Sequence, residues 1–337
     1  MTGVTANPSI FEKAILGSTD YDDALRAMAR RGCSDAKAAY ESLAITDIHD
    51  AAAILQPIYD ETQGRDGYVS LEVSPLLAYD TYGTIQEARR LWAAIGRDNV
   101  MIKVPGTAEG VPAITQLTED GINVNVTLLF SLAAYQAVAE AYLAGLEARI
   151  ARGEDVGRVA SVASFFVSRI DTAIDGLVIS RLQNATSADE RALLQSVVGK
   201  VAIANAKLAY EWYEDLIRTD RWQAIAVKGA RTQRLLWAST STKNPQYRNV
   251  LYVEELIGTD TINTMTPATL DAFRAHGRAR ASLAENLAGA HETMAALART
   301  GISMDAVTTQ LLEDGVRSFV EAFENLLDAI RQKLEVM

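Results

Sequence analysis

The chain has 337 residues, 49% of them hydrophobic and 22% charged, enough to bury a sizeable core in one large domain or two. A formal net charge of -11 argues against non-specific binding to nucleic acid or to an anionic membrane, which rewards clustered Lys and Arg, but leaves small anionic ligands open. One cysteine, Cys33, rules out an intramolecular disulfide and a cysteine-based zinc cluster, and the scattered His49, His276 and His291 are a poor metal-ligand set, so neither metal nor cofactor is expected.

In chain order, "GVTANPSIF" (3–11) is short, β-branched and punctuated by Pro8. A helix is expected over 20–32 and a second over 46–63, with Thr46 as its cap and acids in its first turn. Residues 67–75 alternate as a strand should, 84–96 are amphipathic, and 99–105 are strand-like again. A helix over 107–121 precedes a strand over 122–130, a long helix over 131–153 and a strand over 159–170. Helices around 171–183 and 188–219 lead to strand signals in 224–239 and 261–265. The C-terminal stretch 304–336 reads as helix with a break at Gly315. Its apolar set Val320, Phe323, Leu327, Ile330 and Leu334 marks a packing face, one that can also lie over a barrel or serve an interface.

Strands alternating with helices, without a run of hairpins, imply a mainly parallel sheet. No GxGxxG follows the first strand and no GxxxxGK[ST] occurs, so neither nucleotide fingerprint supports a doubly wound sheet. The expectation is an α/β barrel-type domain over 1–337, including the helix at about 304–336. No signal peptide or membrane-length apolar run is evident, which suits the cytoplasm.

Within "DNVMIKVPGT" (98–107), Lys103 interrupts an apolar strand where a buried charge is expensive. Either its head snorkels to water at a strand edge, or its amine is kept partly desolvated as a nucleophile. Parity bears on the choice. Ser70, Glu72 and Ser74 share one face of their strand, Asn123, Asn125 and Thr127 one face of theirs, and Met101 and Lys103 one face of theirs. If helices cover the outer face, Glu72, Lys103, Asn125 and Thr127 project inward toward the C-terminal strand ends, where barrel enzymes keep their chemistry. An interior ion pair does little for stability that an apolar pair would not do as well, which favours chemistry.

"GVTANPSIF", "MIKVPGTAEG", "GINVNVTLLFS" and "SVASFFVSRID" resemble the transaldolases in order and spacing. The long form found in actinobacteria and in fusions with glucose-6-phosphate isomerase is the most similar. The likeness continues through "LLWASTSTKNPQY", "NTMTPATLDAF" and the C-terminal helix. It implies a TIM-type (α/β)8 barrel that moves a dihydroxyacetone unit from a ketose phosphate to an aldose phosphate through a lysine Schiff base. By this resemblance Lys103 is the Schiff-base lysine, Glu72 the carboxylate acting through a water, and Thr127 the hydroxyl that helps hold that water. Asn7 and Asn125 match the amides gripping the three-carbon fragment. Ser164 matches a substrate contact, Arg169 a phosphate ligand, and Phe166 lines the site. Lys243 in "STKNP" is the best match for a second phosphate-binding cation. Phosphorylated sugars of the pentose phosphate pathway are the implied partners, and a homodimer stays open.

The family's first strand carries an aspartate that handles the C4-hydroxyl proton, whereas "MTGVTANPSI" matches its second strand. The expectation is therefore a barrel short of its first strand and of that aspartate. A shortened start is the favoured explanation over a partner-supplied strand or true divergence. On this view the chain as written forms the Schiff base but is impaired in the aldol step. Two alternatives stand beside transfer: a non-catalytic phosphosugar-binding relative, and an aldolase that releases dihydroxyacetone.

Overall fold

The computed structural model describes residues 1–336. The chain runs β1 (Gly3–Thr5), α1 (Pro8–Gly17), α2 (Asp22–Arg30), α3 (Ala36–Glu61), β2 (Tyr68–Glu72), α4 (Thr81–Ile95), β3 (Val100–Pro105) and α5 (Gly110–Glu119). It continues with β4 (Val124–Leu129), α6 (Leu132–Ala151), β5 (Ser161–Phe166), α7 (Ser168–Leu182), α8 (Ala188–Val197), α9 (Val201–Leu216) and α10 (Asp220–Ala226). The remainder is β6 (Gln233–Ala238), α11 (Leu251–Glu255), β7 (Ile262–Asn263), α12 (Pro267–His276), α13 (Leu287–Arg299) and α14 (Met304–Val336). The strands are hydrogen-bonded neighbours in chain order, and the pairs β1–β2, β2–β3 and β6–β7 are parallel. Sequential parallel strands joined by helices are the winding of a TIM-type (α/β)8 fold. Seven strands occur among the described residues, the number read from the sequence.

The chain divides into two compact units, one of residues 1–125, 144–161 and 314–337, the other of 126–143 and 162–313. In the first unit the core lies between β1–β3 and α3–α5. Every residue of β2 and β3 is buried, as expected of strands covered on both faces. Register places Glu72 of β2 directly beside Lys103 of β3. The ladder continues past that pair, because the Val73 N–H donates to the Lys103 carbonyl at 3.1 Å.

Beyond β3 the chain turns sharply. A methyl group on Gly110 would stand 2.0 Å from the Pro105 carbonyl oxygen, so only glycine permits this approach. Thr107 completes the turn, donating to the Ala78 carbonyl at 2.6 Å and accepting from the Gly110 N–H at 3.0 Å. The last stretch of α14 is tied to the N-terminal helices by Lys333, whose Nζ donates to the Ile15 carbonyl at 3.1 Å and to Asp22 at 2.8 Å.

Several boundaries differ from the sequence expectation. Thr46 lies inside α3, its hydroxyl bonded back to the Ser42 carbonyl, because Asp35 supplies the cap by accepting the Lys37 and Ala38 N–H groups. The start of the 224–239 strand signal is helix α10, nucleated by the Thr219 cap, and β6 begins at Gln233. Gly315 does not interrupt α14, in which neighbouring Val316 and Phe319 are buried. The buried stripe of this helix is Val316, Phe319, Phe323, Leu326 and Ile330, so Val320, Leu327 and Leu334 flank the packing face and do not form it.

Candidate active site

In the first unit, β2 and β3 hold Glu72 and Lys103 with side chains 2% and 7% exposed, and Glu72 Oε2 stands 3.0 Å from Lys103 Nζ. The ammonium also donates to the Ala6 carbonyl at 3.1 Å, just beyond β1, and lies 6.0 Å from the Phe319 ring centroid. Neither Glu72 oxygen has a well-aligned hydrogen bond. Burial pushes the Glu72 carboxyl above the ordinary carboxylate range, against the pull of Lys103. A buried acid that keeps its proton to higher pH suits proton transfer.

A cavity of about 10 Å³ borders Glu72, lined also by Lys37, Tyr40, Glu87 and Phe323. Tyr40 sits edge-on between Phe11 and Phe323, and burial together with the Glu72 charge raises its hydroxyl pKa. Behind it Glu87 accepts the Ser74 N–H at 2.6 Å and the Lys37 ammonium at 2.5 Å, holding the chain just past β2.

Asn125 projects from β4 on the same side, its amide donating to Ser70 Oγ at 3.0 Å. Asn123, predicted on that polar face, is structural instead. Its amide donates to the Asp98 and Val100 carbonyls and its oxygen accepts the Ala160 N–H, latching β4 to both neighbouring segments. Asn7 is half-buried and caps α1, accepting the Ile10 N–H at 2.9 Å. That fixes its oxygen at the C-terminal end of β1.

In the second unit, Thr127 of β4 is 1% exposed and its hydroxyl has no partner, an orphaned polar atom of the kind a substrate or water would satisfy. The next residue, Leu128, has φ of 62°, a strained left-handed backbone in mid-strand. Ser164 and Phe166 are buried at the end of β5. Arg169 follows in the first turn of α7 with its guanidinium 5.4 Å from the Phe166 ring centroid, and burial lowers its pKa. Lys243 is exposed in the irregular segment after β6.

Within the first unit, then, Glu72 and Lys103 are in contact and Asn125 engages Ser70. Within the second, Arg169 and Phe166 pair. Sequence reasoning missed the Ala6 carbonyl, Tyr40 and Phe319. Phe319 carried a usable signal, being the aromatic three residues after Val316 on a helical stripe. A second buried lysine, Lys207, is also unannounced by the sequence, but its ammonium is committed to the Ser282 and Glu285 carbonyls at 2.9 and 2.8 Å. His49, His276 and His291 are exposed, and no cluster of metal-ligating side chains occurs among the described residues. Nor is any helix there long and apolar enough to cross a membrane.

Residues 1–330 match the family described as transaldolase/fructose-6-phosphate aldolase. The chain is 50% identical over 335 residues to a protein of Trichodesmium erythraeum named Transaldolase, covering 99% of this chain and 88% of that one. It is 48% identical over 340 residues to Transaldolase 2 of Nostoc sp., again covering 99% and 88%. A protein of Saccharopolyspora erythraea named Transaldolase is 45% identical over 336 residues, with the same coverage. A match over almost the whole chain, together with relatives near half identity, shows that this chain belongs to the transaldolase/fructose-6-phosphate aldolase family.

Proposed function

We propose that the chain is a transaldolase acting on phosphosugars of the pentose phosphate pathway, with Lys103 as its Schiff-base lysine. The observation that carries this reading is the buried Lys103–Glu72 pair at 3.0 Å, an arrangement whose worth lies in chemistry more than in stability. The names of the relatives support transfer over the non-catalytic and dihydroxyacetone-releasing alternatives.

On this reading Lys103 Nζ, once neutral, adds to the C2 ketone of a ketose phosphate. Glu72, through a water, supplies the proton that lets the carbinolamine lose hydroxide as water. The cavity beside Glu72 is about the size that one water needs, which supports this role. The orphaned Thr127 hydroxyl is suited to holding a catalytic water. The iminium then draws in the C3–C4 bonding electrons, the C4 hydroxyl passes its proton through water to the Glu72 carboxylate that the dehydration left, and an aldose phosphate departs from a three-carbon enamine. Asn7 and Asn125 grip the hydroxyls of that fragment without adding charge. Ser164 contacts substrate, Phe166 lines the site, and Arg169 offers a planar fork to the phosphate with Lys243 as second cation. Re-addition of the enamine to a second aldose phosphate and hydrolysis of the imine return free Lys103.

We place the reaction in the cytoplasm, and a homodimer is the assembly we favour. Exposed Leu76, Tyr79 and Tyr82 after β2 support a pairing surface. The test is a coupled assay with fructose 6-phosphate in the presence and absence of erythrose 4-phosphate. Transfer requires product only when the acceptor is present. Acceptor-independent release of glyceraldehyde 3-phosphate would point to the free aldolase.

A further inference from the structure

Helix α7 carries Arg169 in its first turn, and three residues along one of its faces, Ser168, Asp171 and Asp175, hold the segment after β6. Ser168 makes the first attachment. Its N–H donates to the Ser239 carbonyl at 3.0 Å and the two hydroxyls lie 3.0 Å apart. Ser239 needs such a hold, since its φ of 55° puts a residue with a side chain in the left-handed region.

One turn on, Asp171 accepts the Tyr252 hydroxyl at 2.9 Å and the Ala202 N–H at 2.8 Å. A further turn on, Asp175 accepts the Tyr247 hydroxyl at 2.6 Å and the Gly199 N–H at 3.0 Å. The Tyr247 ring has a fitted seat. A methyl group on Gly199, whose φ is +66°, would stand 2.7 Å from the Tyr247 hydroxyl oxygen. Both carboxylates are buried, Asp171 completely, and each is doubly satisfied. Between the attachments, residues 239–250 have no regular structure and include the exposed Lys243.

We infer that Asp171 and Asp175 are positioning residues for phosphate recognition. Through Tyr252 and Tyr247 they hold the 239–250 loop, and with it Lys243, at a fixed offset from Arg169. The inference rests on the reading of Arg169 and Lys243 as phosphate ligands. A loop of this length, hydrogen-bonded within itself only where Asn244 accepts the Gln246 and Tyr247 N–H groups, would otherwise spread its lysine over many positions, and ordering it in advance removes that cost from binding. The clamp therefore serves affinity for the phosphate and leaves the chemistry at Lys103 untouched.

The experiment compares two substrates, fructose 6-phosphate and unphosphorylated dihydroxyacetone, in Tyr247→Phe, Tyr252→Phe and the double variant. Steady-state kinetics read the first substrate, and the rate of borohydride-trapped adduct reads the second. Losing the struts raises KM for fructose 6-phosphate about tenfold, the usual scale for a lost hydrogen bond to a charged group, with kcat within about twofold. The dihydroxyacetone trapping rate stays at the wild-type value. Asp175→Asn keeps most of the affinity, because its amide can still meet the phenol, whereas Asp175→Ala behaves as Tyr247→Phe does.

If the double variant does not fold, either single variant gives the same comparison. An unchanged KM, or an equal loss with both substrates, overturns the inference. Arg169→Ala separates the two readings. If it raises KM while the tyrosine variants do not, the clamp alone fails, and if it leaves KM unchanged, the phosphate reading fails and takes the clamp with it.

Discussion

Replacing Glu72 and Lys103 together is expected to make the protein more stable, while replacing Glu72 alone makes it less so. At 3.0 Å, with an effective dielectric of about 20, the two charges attract by about 5.5 kcal/mol. Side-chain exposures of 2% and 7% mean that both ions have given up nearly all their water, a cost of several kcal/mol each. The attraction does not cover that cost, and no hydrogen bond with good geometry reaches either Glu72 oxygen to help. Glu72→Gln leaves the ammonium with the Ala6 carbonyl as its remaining polar partner and should lower stability by about 3–5 kcal/mol. Lys103→Met costs less, because burial already favours the neutral Glu72 carboxyl. The double variant Glu72→Leu/Lys103→Met fills the same volume without charge and should gain about 1–4 kcal/mol. Urea unfolding of wild type, both singles and the double closes the cycle. A double variant less stable than wild type would mean that the pair adds net stability as a structural tie and that the argument for chemistry is wrong.

Asp171 predicts a pH dependence of stability. Burial lifts its carboxyl from 3.8 to about 6, so the folded state keeps a proton that the unfolded state has released between those values. Folding takes up a proton in that window, so stability is fullest below about pH 4 for this group and falls by about 3 kcal/mol as pH rises to about 6. Asp171→Asn should flatten that part of a pH series of unfolding midpoints, and an unaltered slope would refute the assignment. Gly110→Ala should destabilise by about 1–3 kcal/mol and slow Schiff-base formation, because the new methyl group collides with the Pro105 carbonyl two residues past Lys103. Wild-type melting and trapping rates in that variant would show that the turn yields freely.

The strand order was legible because period-two alternation and helix-length gaps survive in the sequence of a parallel sheet. The pairing of Glu72 with Lys103 followed from parity, since each stands on the polar side of its own strand and the register sets them side by side. Where two local signals competed, sequence reading chose the wrong one. Thr46 looked like a cap, but Asp35 caps the helix well before it and the packing of Tyr40 and Leu43 carries it through. Residues 224–226 are as apolar as a strand, yet the Thr219 cap makes them helix. Contacts remote in sequence were beyond reach. The Ala6 carbonyl meets Lys103 across 97 positions, and Tyr247 meets Asp175 across 72, with no periodic pattern linking either pair.

The central claim is that Lys103 is the amine that attacks the sugar. Borohydride reduction in the presence of fructose 6-phosphate, followed by peptide mass spectrometry, tests it directly. The account predicts a sugar-derived adduct on Lys103, of three carbons where cleavage proceeds and six where it stalls, absent from Lys103→Ala. An adduct on the other buried lysine, Lys207, or none on folded protein, would contradict it.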